Sequence, residues 1–202
     1  MAAGWHEYQQ NSMSLAVLDD MSLRLATPTD SDTLLCWRNR LEVRDFMYTT
    51  HEISREEHQE WFDGMLNDSS REWHIFSTQE RDCGVVYFTD IDRINSSSSW
   101  GFYSGPDAPA GVSLLIEIEA LSYAFETLGL RRVKCEVLFG NQQIINLHKK
   151  SGFTVEGCLR SEKLTPRGME DVLLLGMLSE EWSASKARLK ARVERHFTPP
   201  PL

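Results

Sequence analysis

Cysteine is scarce in this sequence, and its few copies lie far apart. The four thiols are separated by 47, 52 and 23 residues, so there is no CxxC pair and no spacing typical of a zinc site. The six histidines form no HxxxH or HExxH frame, and we therefore expect no metal. Because each cysteine lies in an apolar run, we expect buried, reduced thiols at Cys36, Cys83, Cys135 and Cys158.

Long apolar runs and an excess of positive charge are also missing. No run reaches the roughly 18 residues of a membrane span, and the first residues lack the basic and apolar regions of a secretory signal. Acidic residues outnumber basic ones by 30 to 21, which argues against binding nucleic acid through its phosphates. We expect a cytoplasmic protein with no membrane and no nucleic-acid partner. The possibility of a small basic pocket for a phosphorylated ligand remains.

What the sequence does contain is a regular succession of strand and helix patterns. A length of 202 residues suggests one domain. The patterns predict the order β α α β β β α β α β β, followed by a terminal helix. This order is typical of an α+β fold with a sheet covered on both faces. We expect a disordered leader over residues 1–20, the main domain over 21–180, and a helix and tail over 181–202.

A loop rich in glycine, proline and alanine, residues 104–111, leads into the longest internal helix pattern. Apolar residues recur from Leu114 to Leu128 at spacings of four, three, four and three, which predicts one apolar helix face. The free N–H groups at a helix start favour a phosphate, and small residues at Ala110, Gly111 and Ser113 let a ligand approach the backbone. On these residues alone, an ordinary loop remains the alternative.

Two blocks, Ala108-Pro-Ala-Gly-Val-Ser113 and Asn141 to Phe153, resemble in order and spacing the coenzyme A site of the GNAT superfamily of N-acetyltransferases. The resemblance extends over most of the chain. It implies a GNAT fold, with a central twisted mixed β-sheet of about seven strands flanked by helices on both faces. The fourth and fifth strands would splay to admit acetyl-CoA. Three residues depart from the pattern: Ala108 replaces a basic or amide residue, Ser113 the second glycine and His148 the tyrosine.

The same resemblance implies a set of residues that bind acetyl-CoA. The loop backbone would hold the pyrophosphate, the fourth strand would flank the pantetheine, and the second block would contact its arm and phosphates. Ordinary roles stay open for these positions: sheet packing, capping of a helix by Asn141, and interaction of Lys150 with a helix dipole. The expected residues are Phe102, Tyr103, Ala110, Gly111, Val112, Ser113, Asn141 and Lys150.

A closer resemblance involves Trp37-Arg-Asn39, Met47-Tyr-Thr-Thr-His51, Glu57-His58 and Trp61-Phe62. These residues look like those of the N-acetyltransferases of the pseudaminic acid pathway. That family acetylates the 4-amino group of UDP-4-amino-4,6-dideoxy-N-acetyl-β-L-altrosamine, and the product feeds the nonulosonic acid that decorates flagellin. The resemblance thus implies a UDP-amino sugar as substrate. It leaves open whether the chain forms a homodimer.

The resemblance also assigns chemical roles. In this superfamily a neutral amine attacks the thioester directly, so a carboxylate near the amine is useful, and Glu136 is the candidate base. His148 would protonate the leaving thiolate in place of the tyrosine. Arg38 and Arg44 would bind the diphosphate, because guanidinium groups match it bidentately. His51 would bind substrate near the acceptor amine.

For each of these five residues an ordinary role stays open: a salt bridge for Glu136, a surface position for His148, and a solvated side chain for the others. Two rival functions also remain. One is N-terminal acetylation of proteins, as in the ribosomal-protein acetyltransferases. The other is a non-catalytic module that binds acetyl-CoA, which the missing tyrosine and second glycine make plausible.

Overall fold

The computed structural model describes residues 20–197, with the backbone alone for residues 195–197. The predicted leader therefore falls largely outside the described residues, as does the end of the tail. The predicted order of elements is observed, with a short additional helix after the first one. The elements are β1 Ser22–Leu25, a 3₁₀ turn Pro28–Asp30, α1 Ser31–Arg38, α2 Leu41–Arg44, α3 Arg55–Leu66, β2 Glu72–Thr78, β3 Arg81–Asp92, β4 Ser97–Ser104, α4 Val112–Ser122, a π-helical turn Tyr123–Thr127, β5 Arg132–Leu138, α5 Gln142–Ser151, β6 Thr154–Thr165, β7 Gly168–Leu178 and α6 Ser179–Phe197.

The strands of residues 20–197 form one seven-stranded sheet in the order β1-β2-β3-β4-β5-β7-β6. Neighbouring strands are antiparallel except β4 and β5, which run parallel. These two strands pair only over Ser97–Ser99 and Arg132–Lys134, and then separate for the rest of their length. The predicted mixed sheet with splayed central strands is confirmed.

Helices cover both faces of the sheet, as the pattern predicted. On one face, α4 and α6 bury a large apolar cluster that includes Leu115, Ile118 and Trp182. On the other face, α1 and α3 bury a smaller cluster that includes Leu34 and Phe62. The two clusters fix the sheet between its helices, because apolar burial is the dominant favourable contribution to folding. Within residues 20–197, no helix combines the length and apolarity needed to cross a bilayer.

Local signals explain several helix boundaries. The Ser54 hydroxyl caps α3 by accepting a hydrogen bond from the Glu57 amide at 3.1 Å. Asn141 caps α5 in the same way through the Ile144 amide. Gly152 ends α5 with φ at +113°, where glycine is favoured. Gly111, with φ at +83°, precedes α4 and turns the loop into the helix.

The structure corrects two expectations about the cysteines. Cys83 and Cys135 are buried, but Cys36 and Cys158 are exposed. Cys36 lies two residues after buried Leu34, which places it on the opposite side of the helix because an α-helix turns about 100° per residue. Cys158 lies on β6, an edge strand that is exposed along most of its length. An apolar run therefore did not guarantee burial.

Candidate active site

The separation of β4 and β5 opens a cavity of about 590 Å³. Both strands, the start of α4, α5 and the α2–α3 region contribute to its walls. The volume is that of a small-molecule site. Seven of the residues predicted from the sequence line this cavity together: Arg38, Phe102, Tyr103, Ser113, Glu136, Asn141 and His148.

His148 is buried beside the cavity. Its Nδ1 lies 2.9 Å from a carboxylate oxygen of Glu117, a residue of α4 with no exposed surface. The helix explains the burial, since Ile145 and His148 face inward while the neighbouring Lys149 and Lys150 are exposed. The alternative of a surface histidine is wrong.

The electrostatic surroundings of His148 favour its charged form. Burial alone disfavours a charged imidazole, but the charge of Glu117 and the interaction with the Cys135 thiol outweigh that effect and raise the pKa of His148 well above its ordinary value. An aromatic enclosure surrounds the ring, with Trp100 and Phe153 at centroid distances of 5.4 and 5.0 Å. The sequence analysis did not identify Glu117. Its charge within the apolar run of α4 was the available signal.

Glu136 projects from the separated part of β5 and lines the cavity. The hydroxyl of Tyr48 donates a hydrogen bond to its carboxylate. Burial and Glu136 together raise the pKa of the Tyr48 phenol, which therefore remains a neutral donor. The ammonium of Lys163 lies 4.2 Å from the centre of the Tyr48 ring. Tyr48 is thus a residue of the site. It belongs to a motif of the sequence, but no role was predicted for it.

Arg38 reaches the cavity from the end of α1. Its Nη2 donates to the Thr49 carbonyl at 3.1 Å, whereas Nη1 is buried with no hydrogen-bond partner among residues 20–197. Burial lowers the pKa of this guanidinium, and the nearby tyrosines partly offset that effect. Asn39, the next residue in the motif, bonds both backbone groups of Ile53 and so fixes the segment after α2 to α1. The segment that carries Tyr48 is held in place by these contacts.

Two predicted substrate residues do not line the cavity. Arg44 lies near Arg38, but its Nη1 is 3.8 Å from Glu52, and its Nε is buried without a partner among the described residues. His51 is exposed and pairs with the carboxylate of Glu57 at 3.0 Å. The roles of Arg44 and His51 stay predictions.

The predicted pyrophosphate loop lies at the edge of the cavity. The Val112 and Leu114 amides already donate to Pro109 and Gly111 carbonyls, so the loop is ordered by its own hydrogen bonds. Ser113, the second residue of α4, lines the cavity, whereas Ala110 and Gly111 of the loop and Val112, the first residue of α4, do not. Lys150 is exposed at the end of α5. An anion at the start of α4 would compete with these two internal contacts, and the cofactor-binding role of the loop stays a prediction.

Aromatic side chains form the opposite wall. Trp73 stacks on Tyr87 with ring centroids 5.5 Å apart, and Trp61 meets Trp73 edge-on at 5.2 Å. His58 is buried against Trp61, and its Nε2 lies 3.1 Å from the Ser31 hydroxyl. Within residues 20–197, no group of three or more histidine, cysteine, aspartate or glutamate side chains could hold a metal ion.

The family model described as "Acetyltransferase (GNAT) domain" matches residues 20–154, which include the separated strands, the loop and all of α5. The chain belongs to the GNAT acetyltransferases. This membership, together with the splayed sheet and its cavity, makes the chain an N-acetyltransferase. The resemblance inferred from the sequence motifs is therefore confirmed at the level of the family.

Individual relatives agree with this membership. Two Campylobacter jejuni subsp. jejuni proteins named Acetyltransferase PseH, from serotypes O:23/36 and O:2, are 30% and 31% identical over 119 residues, which is 59% of this chain and 73% of each relative. A Bacillus subtilis protein, YdaF, is named as a candidate ribosomal N-acetyltransferase and is 27% identical over 106 residues, or 52% of this chain and 57% of its own length.

A solved structure has the same fold. The spermidine N-acetyltransferase of Vibrio cholerae, in complex with CoA and spermine, superposes with a TM-score of 0.76 over 82% of this chain and 99% of its own. The sequence identity of 21% makes this a likeness of fold. The seven-stranded sheet and its flanking helices are therefore the fold of known acetyltransferases.

Proposed function

We propose that the chain transfers an acetyl group from acetyl-CoA to the 4-amino group of a UDP-linked dideoxy amino sugar in pseudaminic acid biosynthesis, the route to flagellin glycosylation. One observation of the site carries the choice of an anionic substrate: the guanidinium of Arg38 lies at the cavity, and its buried Nη1 has no hydrogen-bond partner in the part of the chain that the structure describes. The two relatives named Acetyltransferase PseH support the choice of pathway.

The donor would enter between β4 and β5. The unpaired edge of β4 beyond Ser99 offers backbone groups to the amides of a pantetheine arm, as the family resemblance implies. The start of α4 would receive the pyrophosphate, where helix N–H groups favour negative charge. Ser113 and Asn141 are polar residues of the predicted set that line the cavity.

Glu136 would receive the proton that the attacking amine loses. The amine nitrogen forms a bond to the thioester carbonyl carbon, the carbon–sulfur bond breaks, and the amine proton passes to the Glu136 carboxylate, directly or through water. Tyr48 holds that carboxylate by its hydrogen bond, so it orients the base toward the cavity. His148 would give a proton to the departing sulfur, and the products are an amide and a free thiol.

The nucleotide sugar would lie on the side of α1 and α3. Arg38 would contribute its free Nη1 to the diphosphate in a charge-assisted hydrogen bond. Arg44 lies close enough to Arg38 to influence its charge and would add to the same positive field. The Trp61, Trp73 and Tyr87 wall offers flat apolar faces for the uracil or the deoxy sugar.

Protein N-terminal acetylation is the second candidate, and the likeness to YdaF favours it. A peptide acceptor carries a free α-amine but no diphosphate, so it leaves Arg38 without an anionic partner. UDP alone separates the two functions. We expect UDP to protect the protein in thermal unfolding if the acceptor is a nucleotide sugar, and to have no effect if the acceptor is a peptide.

The direct experiment measures free thiol released from acetyl-CoA by the full-length protein. The acceptors compared are UDP-4-amino-4,6-dideoxy-N-acetyl-β-L-altrosamine, the same sugar without UDP, and peptides that begin with serine or alanine. We expect thiol release and an acetylated product with the UDP-linked sugar alone. Acetylation of peptides alone would overturn the proposal, and the absence of thiol release with every acceptor would favour a non-catalytic binding module.

A further inference from the structure

The buried pair of Glu117 and His148 combines two groups that usually avoid the protein interior. We propose that Glu117 is a positioning residue that keeps His148 in its doubly protonated form, oriented so that the ring serves as the proton donor for the departing thiolate. This inference rests on the proposed acetyl transfer and on the acid role of His148 within it. Glu117 itself lies behind His148 and does not line the cavity.

The geometry of Glu117 shows why it needs a positive partner. The carboxylate is completely buried on α4, and one of its oxygens lies 2.9 Å from Nδ1 of His148. The second oxygen, Oε2, is buried and has no hydrogen-bond partner within residues 20–197. A buried carboxylate with so little compensation is costly unless a charge faces it. A neutral imidazole would leave that cost in place, whereas an imidazolium removes much of it.

The groups around His148 come from four elements. Glu117 faces it from α4 and Cys135 from β5, while β4 contributes the uncharged rings of Trp100 and Phe102. Glu136 shares the cavity from β5. The lysines of its own helix, Lys149 and Lys150, point to solvent, and Phe153 closes the far side.

The geometry also decides which nitrogen is available to the reaction. Nδ1 is engaged with Glu117, so Nε2 is the ring nitrogen left for the Cys135 thiol and for the cavity that both residues line. A histidine with an ordinary pKa near ~6.5 loses most of its proton by pH 8. The pKa of His148 is raised because Glu117 and Cys135 together outweigh the effect of burial, so the proton stays on the ring throughout the neutral range.

The proton balance closes over one turnover. The Nε2 proton passes to the thiolate sulfur as the carbon–sulfur bond breaks, which leaves a neutral His148. The proton that Glu136 took from the amine then returns to His148 through solvent. The ion pair with Glu117 favours this reprotonation, so the enzyme is restored without an added acid.

The test compares pH profiles of kcat for the wild-type enzyme and for Glu117→Gln. Loss of Glu117 should return His148 toward ordinary behaviour, so the variant should keep near-normal kcat at pH 6 and lose about tenfold or more at pH 8. KM for acetyl-CoA should change little. Glu119→Gln, a partly buried glutamate on the same helix, is the matched control and should follow the wild-type profile. An equal loss of kcat at every pH would mean a purely structural role and would overturn the proposal.

A second measurement does not depend on the variant folding. NMR titration of the His148 ring in the wild-type protein should show both nitrogens protonated at pH 8, and titration near pH 6.5 would overturn the proposal. His148→Phe separates this inference from the proposed function. If that variant keeps wild-type turnover, the acid role fails and takes the Glu117 inference with it, while acetylation of the sugar stands.

Discussion

Tyr48 and Glu136, which lie 88 residues apart in the sequence, meet in the cavity through a hydrogen bond from the phenol to the carboxylate. The contact joins the segment after α2 to the separated part of β5. It therefore connects the side of the cavity assigned to the sugar with the strand that carries the proposed base. The position of Glu136 depends on this contact.

Removal of the Tyr48 hydroxyl should lower kcat through the orientation of Glu136. In Tyr48→Phe the ring is kept, but the carboxylate of Glu136 loses the donor that orients it. We expect kcat to fall about fivefold to tenfold, a loss on the scale of one hydrogen bond, with an almost unchanged melting temperature. Tyr123→Phe removes a comparable hydroxyl–carboxylate contact, 2.9 Å to Glu72, away from the cavity lining and should keep wild-type kcat. Equal kcat in the two variants would remove the orienting role of Tyr48.

Replacement of His148 should affect the chemical step more than binding. His148→Phe removes the proton donor, and we expect kcat to fall about 100-fold, the lower range for general acid catalysis. The aromatic surroundings can accept a phenylalanine, so affinity for acetyl-CoA should change little, while the melting temperature should fall because the buried carboxylate of Glu117 loses its partner. Steady-state kinetics and calorimetric titration with acetyl-CoA measure the two effects separately. Wild-type turnover would exclude His148 as the acid.

If Arg38 binds the diphosphate, Arg38→Gln should weaken binding of the UDP-linked sugar and not of acetyl-CoA. Loss of one charge-assisted hydrogen bond should raise KM for the UDP-linked sugar about 10-fold to 100-fold and leave KM for acetyl-CoA nearly unchanged. Arg55→Gln is the matched control, because Arg55 pairs with Asp32 on the exposed surface. A similar rise in both KM values, or none in either, would mean that Arg38 does not bind the nucleotide.

Asp30 should make stability depend on acidic pH. Its carboxylate accepts two hydrogen bonds of 2.8 Å from Arg24, which, with the Thr27 contacts, outweigh burial and lower its pKa from 3.8 to about 2. A lowered pKa in the folded state means that the stabilisation is complete above pH ~5 and is lost as the pH falls toward 2. Asp30→Asn should therefore lower the free energy of unfolding at pH 7 by about 1–2 kcal/mol, a value reduced because Arg24 is partly exposed to solvent.

Urea unfolding at pH 7 and pH 3 measures this effect. The difference between wild type and Asp30→Asn should shrink at the lower pH. Asp32→Asn breaks an exposed ion pair and should cost less than about 0.5 kcal/mol at either pH. If the difference in unfolding free energy between wild type and Asp30→Asn stays constant with pH, the substitution acts through packing and not through the charge of Asp30.

Local patterns predicted the order of elements because each strand and helix of this chain has its own periodicity. The end of α5 at Gly152 and its start at Asn141 follow from capping chemistry that a few residues determine. The family resemblance then predicted that β4 and β5 separate, as they do after three paired residues. The helix caps depend on neighbours in the sequence, which contains them directly, whereas the separation of the strands was implied by the resemblance alone.

The side-chain contacts inside the cavity could not be predicted from the sequence in this way. Periodicity tells which side of a helix or strand a residue occupies, but not what it meets across the fold. Glu117 and His148 are 31 residues apart on different helices, and Tyr48 reaches Glu136 from another layer. His51, placed near the substrate by its motif, bonds Glu57 at the surface. Packing of the elements decides such contacts.

The acetylation of a UDP-linked amino sugar is the central claim, and competition between acceptors tests it most directly. The full-length enzyme would receive acetyl-CoA with equal concentrations of UDP-4-amino-4,6-dideoxy-N-acetyl-β-L-altrosamine and an N-terminal peptide, and mass spectrometry would identify the acetylated product. We expect the acetyl group on the 4-amine of the nucleotide sugar and an unmodified peptide. An acetylated peptide beside an unmodified sugar would contradict the account.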